Sequence, residues 1–112
     1  MPEGFIAEVL QASKSYPWIQ RVEQRVTGKV ARLRLFLTED RFIAVYHNAE
    51  TGSISYAYVE KEKRLFGANN MKVGWHIHPY GQADRHVKSK SINIEEFLNL
   101  LEEALKTAGK LA

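Results

Sequence analysis

The chain contains no cysteine, which excludes disulfide staples and thiolate metal ligands. It has no apolar run long enough to cross a bilayer. The N-terminal stretch MPEGFIAEVL carries acids where a secretory leader would carry bases, so no signal peptide is expected. These absences fit a cytoplasmic protein with no membrane partner. Aspartate is scarce: two residues stand against eleven glutamates. With plentiful lysine and arginine, that bias leans toward a thermophilic source. There is no glycine-rich phosphate loop and no nucleophile elbow, so the P-loop and serine-hydrolase classes have no support. Linkers, low-complexity runs and internal repeats are also missing.

What remains is 112 residues, 45% hydrophobic and 26% charged, the profile of one folded domain spanning 1–112. The net charge of +3 is unevenly spread. Between residues 71 and 91 lie Lys72, Arg85, Lys88 and Lys90 with only Asp84 opposing them, while the segment after them is net acidic. This basic island could attract a phosphate or RNA; a solvated loop with chance lysines is the plainer explanation.

Hydrophobic periodicity gives the elements. Phe5, Ile6, Val9 and Leu10 form the stripe of a short helix over 3–14. The period then falls to two. Strands are predicted over 19–26, 30–37, 41–47, 53–59, 64–67 and 72–78, separated by turn-forming residues. The segment 41–47 is apolar on both faces, which suits a central strand. Asn93 and Glu96 have capping-box spacing, and Ile94, Phe97, Leu98, Leu101 and Leu105 line one face of a C-terminal helix that Gly109 can end. The expected fold is α+β: an antiparallel meander of about six strands with both helices packed on the Leu33/Leu35/Leu37 face.

Three of the four histidines fall in V-G-W-H-I-H-P-Y-G-Q-A-D-R-H-V-K-S-K, residues 73–90. Side chains alternate along a strand, so His76 and His78 share one face while Trp75 and Ile77 take the other and suit a core. Pro79 and Gly81 force a turn, after which His86 could fold back. Three chemistries fit. The first is a metal site with zinc on His76, His78 and either His86 or Asp84. The second is metal-free RNA cleavage, with histidines as general base and general acid, assisted by Arg85, Lys88 and Tyr80. The third is non-catalytic binding of nucleic acid or a partner protein, with Trp75, Tyr80 and the bases as a platform. A purely structural alternative leaves the histidines exposed on the polar face of an edge strand.

Further phosphate contacts are expected from Lys72, Lys88, Lys90 and from Arg32 and Arg34, which share the non-core face with Arg21 and Arg25, although Glu23 interrupts that stripe and ordinary cross-strand pairing explains it as well. His47 reads as a surface residue at a strand end. Tyr56 and Tyr58 could stack bases, but core packing explains them as well. Two open sheet edges would suit a strand-paired homodimer.

V-G-W-H-I-H-P resembles the His-x-His-Pro stretch of the JAMM metallo-isopeptidases, but their Ser-x-x-Asp is absent: Gly81 stands three residues before Asp84. The order of a β-meander, H-I-H-P (76–79), a spacer Y-G-Q-A-D-R, His-Val (86–87) and S-I-N-I-E-E-F-L-N-L-L-E-E (91–103) is similar to the small TumE-type toxins of prokaryotic toxin–antitoxin pairs and their relatives. Here Ile77 separates histidines that are adjacent in that family, and the spacer carries less histidine. The resemblance implies a toxin acting on nucleic acid and an antitoxin encoded beside it. Together with the histidine cluster it makes metal-free cleavage of RNA without a cofactor the leading expectation, a zinc hydrolase the rival enzyme, and a binding module the rival of another class.

Overall fold

The computed structural model describes residues 2–72 and 74–111. It has helix α1 (Pro2–Ser13), strands β1 (Arg21–Thr27), β2 (Val30–Thr38), β3 (Arg41–Asn48), β4 (Ser53–Glu60), β5 (Lys63–Asn69), β6 (His76–His78) and β7 (Val87–Lys88), and helix α2 (Ile94–Thr107). The strands form one antiparallel sheet in sequence order, so every connection is a hairpin and β1 and β7 are the edges. The α+β meander expected from periodicity is therefore present, with seven strands where about six were predicted. Among the described residues no helix is long and apolar enough to span a membrane.

The register decides which side chains share a face. Leu33 pairs with Val45, Val45 with Tyr56, Tyr56 with Ala68, and Ala68 with Ile77. Directly opposed residues point to the same side, so this row lies on one face. The helices cover that face: Ile6 and Val9 of α1, and Ile94, Phe97, Leu98, Leu101 and Leu105 of α2, join Leu33, Leu35, Ile43, Val45, Tyr56 and Tyr58 in the core. Tyr56 and Tyr58 are thus packing residues, as the plainer reading had it.

The start of α2 is fixed by a reciprocal cap. Asn93 accepts from the Glu96 amide at 2.8 Å, and Glu96 accepts from the Asn93 amide at 2.9 Å. At the other end Gly109 takes φ 74° and the Lys110 amide donates to the Leu105 carbonyl, closing the helix.

One strand is much shorter than expected and one is additional. The strand predicted over 72–78 is only His76–His78, because Lys72 (φ 65°) and Gly74 (φ 90°) adopt left-handed backbone that no strand continues through; Val73 lies outside the described residues. The seventh strand, Val87–Lys88, has only two residues and no period to read. It exists because the 79–86 loop returns the chain to β6.

Candidate metal centre

Among the described residues, no helix packs on the second face of the sheet. Its rows run Arg34–Ala44–Ala57–Gly67–His78 and Arg32–Tyr46–Ser55–Asn69–His76–Lys88. His76 and His78 therefore sit together on the helix-free side, while Ile77 and Trp75 pack half-buried against the core, as alternation predicted. Extending the Ile77–Val87 pairing by one residue places His86 opposite His78 on the same face.

All three histidines converge. Ring centroids are 5.0 Å apart for His76 and His78, 4.9 Å for His76 and His86, and 4.4 Å for His78 and His86. One ring nitrogen from each lies within 4.8 Å of the other two. The purely structural alternative required exposed side chains. Instead His76 and His78 are 5% and 9% exposed, and only His86 faces solvent.

The main chain fixes the two buried rings. Nδ1 of His76 lies 2.9 Å from the Gly74 carbonyl, and Nδ1 of His78 lies 2.8 Å from the Ala83 carbonyl. A carbonyl only accepts, so each Nδ1 carries the proton and each Nε2 keeps a free lone pair. Successive turns (Gln82 amide to Pro79 carbonyl, Arg85 amide to Gln82 carbonyl) bring Ala83 into place, and the Gly81 amide anchors the loop to the Leu65 carbonyl at 2.8 Å. Burial holds the His78 pKa below its usual value; the Ala83 bond opposes this, and His86, His76 and Arg64 add to it. Burial thus favours a neutral imidazole at His78.

The histidines open into a pocket of about 430 Å³ lined also by Asn69, Met71 and Lys72. No carboxylate lines it among the described residues. Asp84, the alternative third ligand, is exposed and outside the cluster. Three imidazoles held from one side, with the other side open, form the donor set of an open metal site. The carbonyl partners on Nδ1 are the outer hydrogen bonds such ligands require.

Of the other expected site residues, Lys72 lines the pocket and Lys88 is directly opposite His76. Tyr80 is a correction. It lies on the helix side, stacked on Tyr58 at 6.5 Å with the Lys110 ammonium over its ring. The turn at Pro79 swings it under the sheet's end, away from the imidazoles. Arg85 also falls outside the pocket; its exposed guanidinium donates to Gln82 at 3.3 Å. Lys90 lines a groove beside Ile77 and Leu100 on the helix side, because the chain crosses the sheet edge there to enter α2. Arg32 and Arg34 share the histidine face but belong to β2, four strands from β6. His47 is not a surface residue: it is half-buried, stacked on Phe5 at 4.4 Å.

Arg64 and Gly67 were missed by sequence reasoning. Arg64 pairs with Val59 on the histidine face, and its charge acts on His78. Gly67 stands directly opposite His78 and leaves the space beside the ring open. Neither carries a motif; only the strand register brings them to the site. No family model, no curated protein and no solved structure matches the chain.

Proposed function

We propose that His76, His78 and His86 hold one divalent metal ion of the zinc type, and that the centre hydrolyses phosphodiester bonds in RNA. The observation that carries this reading is the pair of Nδ1–carbonyl bonds, which leaves free Nε2 lone pairs on two buried rings that His86 joins from the open side. A divalent ion bound there would polarise a phosphoryl oxygen and activate a water molecule. The chain's own residues orient the ligands and bind the substrate. Gly74 and Ala83 fix the rings, Lys72 and Lys88 attract the phosphate, and Asn69 supplies a side-chain amide at the pocket wall.

The metal-free scheme expected from the sequence uses the same three rings, but needs one of them protonated. His78 is held toward its neutral form, and among the described residues no carboxylate lines the pocket to stabilise an imidazolium. The geometry therefore favours the metal. RNA as substrate is supported by the basic residues around the pocket and by the resemblance to TumE-type toxins at 76–79, 86–87 and 91–103. That resemblance also supports an antitoxin as a partner, and β1 is the long free edge on which a strand-paired homodimer would form.

The test is cleavage of a labelled single-stranded RNA by the purified protein, with EDTA and with zinc restored. Cleavage lost in EDTA and regained with zinc supports the metal reading. Cleavage that persists in EDTA but disappears with His78→Ala supports acid–base chemistry. Binding without turnover supports the non-catalytic module.

A further inference from the structure

We infer that the helix-free face of the sheet is a track for single-stranded RNA, entering over the arginines of β1 and β2 and ending at the three histidines. The inference deepens the proposed function, and rests on it only for what happens at the histidine end.

Three observations on this face point to a polyanion. The first is charge without partners. Arg25, Arg32, Arg34 and Arg64 make no ion pair among the described residues. Glu23 stands directly opposite Arg34 on this face, but its carboxylate pairs with Arg21 instead. The second is an unfavourable pairing: Arg25 stands directly opposite Arg32 across the β1–β2 hairpin. Like charges so placed destabilise a hairpin unless an anion joins them. The third is how the guanidinium groups are set. Arg32 lies over the Tyr46 ring at 5.2 Å and Arg34 over the Phe42 ring at 4.7 Å. The aromatic rings are thus capped by cations, and a guanidinium can stack on a base or pair with a phosphate.

Between the two ends the floor is low. Arg34 and His78 are joined across the sheet by Ala44, Ala57 and Gly67, and the parallel row passes through Ser55. From β2 to β6 there are four inter-strand steps, about 19 Å at about 4.8 Å each. The length suits several nucleotides of an extended strand. The arginines stand at one end of this row and the β6–β7 hairpin at the other. An apolar protein surface fits poorly, because guanidinium groups form the outer layer over the rings.

The experiment is fluorescence anisotropy of a labelled 12-nucleotide uridine-rich RNA, titrated with the full chain in EDTA between 50 and 200 mM NaCl. The same titration is made with a 12-base-pair RNA duplex and with polyglutamate. Arg32→Gln/Arg34→Gln is expected to weaken binding of the single strand about tenfold or more and to lower the log–log salt slope by about 1.4, the release expected for two phosphate contacts. Arg25→Gln disturbs no aromatic stack and is expected to weaken binding about threefold. It keeps the inference testable if the double variant does not fold. Wild-type affinity in a folded arginine variant overturns the track. So does equal binding of the duplex. Equal binding of polyglutamate would assign the face to an acidic protein partner. Failure of the metal reading is seen separately, as arginine-dependent binding with no metal and no cleavage.

Discussion

The Nδ1–H of His78 donates to the main-chain carbonyl of Ala83, five residues further along the chain, at 2.8 Å. That bond joins the turn after Pro79 to the chemistry of the site, because it selects the tautomer whose Nε2 can act as a ligand.

It predicts a tautomer and a titration. In metal-free protein, long-range proton–nitrogen NMR should show His76 and His78 as the Nδ1–H form, the less common form in water. His78 should titrate below its ordinary value of 6.5, because burial disfavours the cation. The sign for stability follows from that depression. The contribution is complete above the unfolded value and is lost as pH falls through 6.5 toward the lowered one. An Nε2–H form, or titration at or above 6.5, contradicts the assignment.

Gly67 faces His78 across β5 and β6, and a Cβ there would come within 3.0 Å of the Tyr56 carbonyl oxygen. Gly67→Ala is therefore expected to cost about 1–3 kcal/mol. It should also loosen metal affinity by disturbing the strand that supports the buried rings. Thermal unfolding and a zinc titration check both, and an unchanged Tm would show that the strand shifts freely.

The β4–β5 turn places Lys61 (φ 49°) and Glu62 (φ 68°) in left-handed backbone, where most side chains are strained. Both are exposed, and the two-residue loop is the kind that Asn-Gly fits best. Lys61→Asn/Glu62→Gly should stabilise by about 1 kcal/mol and raise Tm by about 4 °C. A lower Tm would contradict the strain.

Glu60 accepts from Lys110 Nζ at 2.9 and 2.8 Å and from the Tyr58 hydroxyl at 2.9 Å, tying the chain beyond α2 to the sheet. Lys110 holds the Glu60 carboxyl below its ordinary 4.5, against a smaller opposing effect of burial. Burial pushes the Tyr58 phenol up to about 12. Glu60→Gln should cost about 1–2 kcal/mol at neutral pH. The stability Glu60 supplies is present above 4.5 and lost as pH falls below it, so the variant's loss relative to wild type should shrink under acid. A gap that stays constant from pH 7 to pH 3 would contradict the pairing.

Periodicity made the sheet legible as far as β5, because β2 alternates along its length, β3 and β4 are eight-residue runs rich in apolar and aromatic residues, and most of the turns carry glycine, asparagine or aspartate. The cap residues Asn93 and Glu96 announced α2 for the same local reason. The sharing of a face by His76 and His78 was also local. The arrival of His86 was not, since it depends on a β6–β7 pairing of two residues and on the 79–86 loop. Tyr80 was misplaced because a turn erases alternation. His47 was misplaced because Phe5, far off in sequence, covers it. Arg64 and Gly67 enter the site only through cross-strand register, which no single strand's pattern contains.

The central claim is a metal ion on three imidazoles, and metal content tests it most directly. Protein loaded with zinc and then desalted, wild type beside His78→Ala, is analysed by inductively coupled plasma mass spectrometry. The account predicts one zinc per chain in wild type and a small fraction of that in the variant. Wild-type protein that retains no zinc, or a variant that retains as much as wild type, would contradict it.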